Sequence, residues 1–250
     1  MNSLVGMTAV VTAGSRNLGA EIVGELASRG ASTISTFRSS PDVCSAMLER
    51  LPTAAGQIHR CCHADLESPQ GIESFVEELA GFEQVDILIN NFGPFSMTPF
   101  ADMTEDEWDR IWNGNVEAAR RCSRAVVAAM RNRGRGRIVN VSAGSAYIRN
   151  HSIYTLAKAA LITLTEMLAL ELGPEISVNG VAPGQIAESA DDIAEFDSDF
   201  VVRAIEHTPM GRLVSRSEVA CITVDLCEPR FDAVTGVVIP VDGGWRLNRF

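Results

Sequence analysis

The chain has 250 residues, a formal net charge of −11 at pH 7, 46% hydrophobic residues and 21% charged residues. This composition supports a large buried core and excludes a disordered chain. The acidic balance argues against nucleic-acid binding, which needs a basic face. The length fits one large α/β domain, and we predict a single domain over residues 1–250.

The sequence gives no sign of export or membrane insertion. The start, Met1–Val11, enters an apolar run without a basic region or a cleavage site, so a strand is predicted there and not a signal peptide. No apolar stretch is expected to provide the roughly 20 residues of a membrane span. The six cysteines show no metal-ligand spacing, so we predict no metal, reduced structural thiols and a cytoplasmic protein.

Short β-branched runs alternate with longer amphipathic stretches along most of the chain. The predicted strands are Thr8–Thr12, Ser32–Phe37, Gln57–Cys62, Val85–Asn90, Arg137–Ser142, Ser177–Val181 and Val237–Val241. The predicted helices are Leu18–Arg29, Asp42–Arg50, Gln70–Ala80, Glu105–Met130, Ile153–Leu172 and Ser217–Cys227. Apolar strands alternating with helices predict a three-layer α/β architecture with a doubly wound parallel sheet.

One segment interrupts this alternation. Residues 188–199 carry six acidic side chains and no basic one. A mobile acidic lid over about 187–210 and a solvated acidic surface are both compatible with this pattern.

A turn of small residues joins the first predicted strand to the first predicted helix. Its residues are Thr12, Ala13, Gly14, Ser15, Arg16, Asn17, Leu18 and Gly19. A backbone without bulky side chains can approach a pyrophosphate, and the following helix N-terminus offers unpaired N–H groups. The turn therefore indicates a nucleotide site, with an ordinary tight turn as the alternative.

The end of the second predicted strand selects the nucleotide. An NAD site favours a carboxylate at this point, to accept hydrogen bonds from the ribose hydroxyls. Here Phe37 is followed by Arg38 and Ser39, and Arg16 lies in the preceding turn. Two arginines without an acid favour the 2′-phosphate of NADP(H). Two solvated surface arginines are the alternative.

Tyr154 and Lys158 lie four residues apart on a predicted helix, which places both on one face. A cation beside a phenol favours the phenolate, so we expect a lowered pKa for Tyr154. Such a tyrosine can exchange a proton with a carbonyl oxygen. A surface pair is the alternative for an isolated motif of this kind.

The turn, the Tyr154–Lys158 pair and their order resemble the short-chain dehydrogenase/reductase family, in particular its 3-oxoacyl-[acyl-carrier-protein] reductases. This chain has Ala13 and Asn17 where the family has its first two glycines, and Gly14 is expected to serve the tight turn instead. The resemblance implies a Rossmann fold. It also implies a catalytic role for Asn115, which would hold a water in a proton relay with Lys158; an interior asparagine bonded to backbone is the alternative.

The resemblance implies further cofactor contacts along the chain. It assigns an adenine contact to Asp65, with Leu66 beside it, and a cofactor-lining role to the segment after the fourth strand. It also implies a clamp on the nicotinamide by the segment after the sixth strand. The residues of these last two segments are Asn91, Phe92, Gly93, Pro183, Gly184 and Ile186.

The family's catalytic serine is missing at its usual position, where this chain has Ala143. A donor to the developing oxyanion is worth about 3–4 kcal/mol, so its loss would slow an enzyme without abolishing it. Ser142 is our preferred replacement. The alternatives are Ser145, Tyr147 and His151.

The resemblance implies an NADP(H)-dependent ketoreductase that interconverts a ketone and a secondary alcohol. Reduction of an enoyl thioester or a pteridine is an alternative, although an enoyl reductase of the related type would have its tyrosine at His151. A cofactor-binding sensor without chemistry is another. The expected partner is a small carbonyl or alcohol substrate, free or carrier-bound. The resemblance also implies a homotetramer or homodimer, with which the broad apolar faces of the helices predicted at 105–130 and 153–172 agree.

Overall fold

The computed structural model describes residues 3–148, 152–190 and 199–247. Its strands are β1 (Thr8–Val11), β2 (Ser32–Phe37), β3 (His59–His63), β4 (Ile87–Asn90), β5 (Gly136–Val141), β6 (Ile176–Pro183) and β7 (Val238–Val241). They form one parallel sheet in the order β3-β2-β1-β4-β5-β6-β7. The predicted doubly wound sheet is confirmed, with each predicted strand present and its ends shifted by no more than two residues.

The helices of the described ranges flank this sheet. They are α1 (Asn17–Ser28), α2 (Pro41–Leu48), α3 (Pro69–Ala80), α4 (Glu105–Trp112), α5 (Ala118–Asn132), α6 (Ile153–Leu172), α7 (Phe200–Glu206) and α8 (Arg216–Asp225). Helix α7 was not predicted; it lies within the expected acidic lid, of which residues 191–198 are outside the described residues.

The single helix predicted over 105–130 is wrong. A π-helical turn, Asn113–Glu117, separates α4 from α5. A π-turn adds a residue to the helical repeat, and turns of this kind are frequent at functional sites. The turn contains Asn113, Gly114 and Asn115, which are weak helix formers, so the sequence carries a local signal of a break that the single predicted helix did not use.

Alternate residues of the central strands enter two separate cores. Val10, Leu88 and Ile138 pack on the face covered by α3, α5 and α6. Val11, Ile89 and Val139 pack on the opposite face, covered by α1 and α8. Burial on both faces explains why these strands are continuous apolar runs without a polar alternation.

Helix α6 corrects the expectation that no segment reaches the length of a membrane span. Its 20 residues include a window of mean hydropathy 1.5, long and apolar enough by length and composition, with 39% of that window buried. The apolar residues buried in α6 pack on the sheet core, and Lys158 is buried on the same helix. Its apolar character therefore fits a core helix of the domain.

Two cysteines also differ from expectation. Cys44 of α2 and Cys61 of β3 form a disulfide, whereas all six cysteines were predicted to be reduced. The sequence separation of 17 residues gives no hint of the contact, which arises because α2 packs against β3. The disulfide removes the support that reduced thiols gave to a cytoplasmic location.

Candidate active site

A cleft opens at the carboxyl edge of the sheet, where the strand order reverses between β1 and β4. Open parallel sheets bind their ligands at this position. The cleft has a volume of about 300 Å³ and lies over the segments that follow β1, β2, β3 and β4. Its lining residues are Ala13, Ser15, Arg16, Asn17, Leu18, Gly19, Thr36, Phe37, Arg38, Ala64, Leu66, Glu67, Asn91, Phe92 and Gly93.

The turn after β1 takes the backbone path of a glycine turn without the expected glycines. Ala13 and Asn17 have φ values of 52° and 51°, in the left-handed region that favours glycine. Gly14 does not take a positive φ, which corrects its expected role in the turn. Instead, a Cβ at Gly14 would lie 3.0 Å from the Cβ of Ser35, so Gly14 permits close packing on β2.

Gly19 brings α1 close to the same turn. A Cβ there would lie 2.1 Å from the carbonyl oxygen of Ala13 and 2.8 Å from Nδ2 of Asn91. Asn91 in turn donates to the carbonyl oxygens of Thr12 and Ala13, at 3.0 and 3.3 Å. The turn, α1 and the end of β4 are therefore fixed relative to one another.

Thr12 is buried beneath the cleft and does not line it. Its hydroxyl oxygen accepts from the backbone N–H groups of Asn91 and Phe92, both at 2.9 Å. Thr12 thereby joins the ends of β1 and β4. It was predicted to contact the cofactor directly, whereas the structure places it below the cleft lining.

The N-terminus of α1 faces the cleft without a side-chain cap. Helices α2 and α7 also lack a side-chain cap, whereas the N-termini of α3, α4, α6 and α8 are capped by Ser68, Thr104, Ser152 and Ser215. Uncapped N–H groups and the positive end of the helix dipole favour an anion. The cradle therefore fits a dinucleotide pyrophosphate.

The far end of the cleft carries two arginines and one carboxylate. Arg16 and Arg38 line it, as the sequence predicts. Ser39 does not contribute to the lining. Glu67, which the sequence reasoning missed, lies in the same wall and pairs with Arg38 at 2.5 Å between Oε1 and Nη1.

Asn115, Lys158 and Gly93 meet next to the cleft. A Cβ on Gly93 would lie 2.5 Å from Oδ1 of Asn115 and 2.7 Å from Nζ of Lys158, so a larger residue there would displace these two groups. Nδ2 of Asn115 donates to the carbonyl oxygens of Pro94 and Ile111, at 2.8 and 2.9 Å. Oδ1 of Asn115 is buried and has no hydrogen-bond partner within residues 3–148, 152–190 and 199–247, which leaves an acceptor beside the lysine.

Lys158 is buried, and its Nζ donates to the carbonyl oxygen of Val141 at 2.8 Å. Burial lowers the pKa of Lys158 to about 7. Lys158 is also the only lysine of the chain, which otherwise carries its positive side-chain charge on arginines. A single lysine in an arginine-rich sequence is a signal of function in addition to its spacing from Tyr154.

Tyr154 lies one turn before Lys158. The Lys158 Nζ is 5.6 Å from the centre of the Tyr154 ring, and the ring of Phe95 meets the tyrosine edge-on at 4.9 Å. Burial raises the pKa of Tyr154 to about 12. This is opposite to the direction predicted from the lysine, because burial disfavours the charged phenolate.

The structure accounts for two of the four candidates for the missing serine. The Ser142 hydroxyl donates to the carbonyl oxygen of Lys158 at 2.8 Å, so its proton is held by α6. The Tyr147 hydroxyl donates to Val238 at 3.2 Å, near β7. Ser145 has a buried hydroxyl that finds no hydrogen-bond partner among the residues that the structure describes, and His151 lies outside them.

The remaining predicted contacts lie around the cleft. Asp65 does not line it; its carboxylate accepts from the backbone N–H of Glu67 and the hydroxyl of Ser68, which shapes the start of α3. Pro183 ends β6, and Gly184 packs close to Asp242. Ile186 forms a parallel bridge with Val214. The lining residues that sequence reasoning missed are Thr36, Ala64 and Glu67, together with Ala13.

A sequence model of the family described as enoyl-(acyl carrier protein) reductase matches residues 12–246, and the chain therefore belongs to this family of short-chain dehydrogenases/reductases. A tropinone reductase homolog of Arabidopsis thaliana is 32% identical over 253 residues, 99% of this chain and 95% of the relative. The L-xylulose reductase of Bos taurus is 31% identical and covers 97% of both chains. The crystal structure of a blue fluorescent protein from a metagenomic library, in complex with NADPH, has a TM-score of 0.84, 32% identity and coverage of 97% and 99%.

Proposed function

We propose that this oxidoreductase uses NADP(H) to interconvert a ketone and a secondary alcohol. The observation that carries the proposal is the meeting of Asn115, Lys158 and Gly93 beside Tyr154, at the end of the dinucleotide cleft. The nicotinamide, when bound, supplies or takes up the hydride. The reductase names of relatives and the NADPH-bound structural neighbour support the same class of reaction.

The protein side chains have separate tasks in this proposal. Tyr154 donates its hydroxyl proton to the carbonyl oxygen as negative charge develops there. Lys158, partly protonated near neutral pH, stabilises the resulting phenolate. The unpaired Oδ1 of Asn115 accepts a hydrogen bond from the lysine or from a water that returns the proton. The arginines at the far end of the cleft bind the 2′-phosphate.

The test uses the two tyrosines of the chain. NADPH oxidation is measured over a panel of ketones with wild type, Tyr154→Phe and the matched control Tyr147→Phe. We expect Tyr154→Phe to lower kcat/KM by about 10²–10⁴, with NADPH binding retained and the control close to wild type. Equal activity of Tyr154→Phe would contradict the proposal. Cofactor binding without turnover of any substrate would favour the sensor instead.

Enoyl-thioester reduction is the second candidate, because the matching family description names it. The four-residue spacing of Tyr154 and Lys158 favours a carbonyl. A trans-2-enoyl thioester and the corresponding 3-oxoacyl thioester, compared at equal chain length, separate the two reactions. Faster turnover of the enoyl compound would replace the ketone proposal.

A further inference from the structure

Arg38, the cation proposed to bind the 2′-phosphate of the cofactor, forms an ion pair with the carboxylate of Glu67. Oε1 of Glu67 lies 2.5 Å from Nη1 of Arg38, and both residues line the cleft. The ribose phosphate of NADP(H) is an anion that would bind the same guanidinium. The protein therefore carries its own competitor for that phosphate.

The local structure holds this carboxylate in place. Phe37 pairs with His63 in the β2–β3 ladder, and Ala64 donates its N–H to the carbonyl oxygen of Phe37 at 2.8 Å. Arg38 and Glu67 consequently extend from adjacent strand ends. The backbone N–H of Glu67 donates to Asp65 at 3.2 Å, so the glutamate sits on an ordered turn.

We propose that Glu67 sets the preference between NADPH and NADH, by holding Arg38 in an ion pair that a 2′-phosphate must break. This inference rests on the proposed function and adds a specificity-determining residue to it. A dinucleotide without the 2′-phosphate does not compete with the carboxylate. Glu67 therefore weakens NADPH binding and leaves NADH binding nearly unchanged, which narrows the selectivity that Arg16 and Arg38 would otherwise give.

The test compares Glu67→Gln with Glu77→Gln, which makes the same charge change on an exposed residue of α3 away from the cleft. Dissociation constants for NADPH and NADH are measured by fluorescence titration. Removing a partly exposed ion pair and an adjacent negative charge predicts NADPH binding tighter by about five- to tenfold. NADH binding is expected to change by less than about twofold, and the control to behave as wild type.

A second measurement isolates the phosphate end. Competition by 2′,5′-ADP and by 5′-AMP is compared in wild type, Glu67→Gln, Arg38→Ala and the double variant. We expect Glu67→Gln to tighten the binding of 2′,5′-ADP and to leave that of 5′-AMP unchanged. The effect on 2′,5′-ADP should be smaller in the variant that also lacks Arg38. The gain is also expected to shrink at high salt, because the contact is exposed.

Two results overturn the inference. Weaker NADPH binding by Glu67→Gln would mean that the carboxylate orients Arg38 productively, and equal changes for NADPH and NADH would mean that it plays no selective role. A wild-type protein that binds neither dinucleotide would instead contradict the proposed function, and the inference with it. The titrations distinguish these cases because wild-type binding is measured first.

Discussion

At the scale of single residues, Lys158 offers a direct test of the site's electrostatics. Its Nζ is buried and donates a hydrogen bond to the backbone carbonyl of Val141. Within the described ranges it forms no ion pair with an acidic side chain. Burial penalises the charged amine, which lowers the pKa of Lys158 to about 7 from the 10.5 of an ordinary lysine. Because this is the only lysine of the chain, labelling with ¹³Cε-lysine gives one side-chain signal.

We expect that signal to titrate near pH 7 in the folded protein and near its ordinary value when unfolded in urea. Between these two values Lys158 binds more protons in the unfolded chain than in the folded one, so its contribution to stability rises with pH over this interval. Tyr154, whose pKa is raised to about 12, opposes this only above pH 10. In Lys158→Met the rise in unfolding free energy from pH 7 to pH 9 should be lost. A single titration near 10.5 would refute the burial argument.

At the scale of secondary-structure elements, the Cys44–Cys61 disulfide ties α2 to β3 next to the Arg38 loop. Closing a loop of 17 residues removes entropy from the unfolded chain, worth about 3 kcal/mol. We expect dithiothreitol to lower the urea midpoint of the wild type accordingly. The double variant Cys44→Ser/Cys61→Ser should be equally unstable and insensitive to the reductant.

The control for this experiment is Cys221→Ser, which removes an exposed free thiol. It should behave as wild type with and without the reductant. A wild-type midpoint that does not change under reducing conditions, although the thiols are chemically confirmed as free, would contradict a stabilising role for the bond.

The sequence predicts an element well when neighbouring residues determine it, and poorly when contacts between distant parts of the chain do. The strands and α6 were predictable because burial makes each of them a long apolar run, a signal that the segment carries by itself. The π-turn at Asn113–Glu117 coincides with Gly114 and its two flanking asparagines, but these weak helix formers do not distinguish a π-turn from an ordinary helix end. Partners such as Cys44 with Cys61, or Arg38 with Glu67, meet only through the β2–β3 register, which motifs do not contain.

The candidate site divides in the same way. Tyr154 and Lys158 were predicted from their spacing and Asn115 from the family resemblance, and the structure brings the three residues close together. Asn17 stands at a glycine position of the family pattern and takes a positive φ, whereas the positive φ of Ala13 was not predicted, because Gly14 was expected to serve the turn. The replacement for the missing serine was not predictable, because it depends on which hydroxyls the surrounding backbone already uses.

At the scale of the whole molecule, α6 leaves an apolar stripe facing solvent. Leu156, Met167 and Leu170 are 50%, 44% and 87% exposed. Met167 and Leu170 lie about three and about four helical turns after Leu156, on the same side of the helix. Beside Leu156, a groove of about 510 Å³ is lined by apolar residues of α4, α6 and the segment before α4, including exposed Phe100. Exposed apolar patches of this kind mark contact surfaces.

The expected homo-oligomer should therefore assemble through α6. Light scattering after size exclusion should give the mass of a dimer or tetramer for the wild type, and a smaller species for Leu156→Glu/Leu170→Glu. Ile58→Glu, an exposed apolar residue beside the β3 edge of the sheet, is the matched control and should keep the wild-type mass. If both variants keep the wild-type mass, any assembly uses another surface. If the wild type is a monomer, the apolar stripe on α6 stays exposed to solvent and does not mediate self-association.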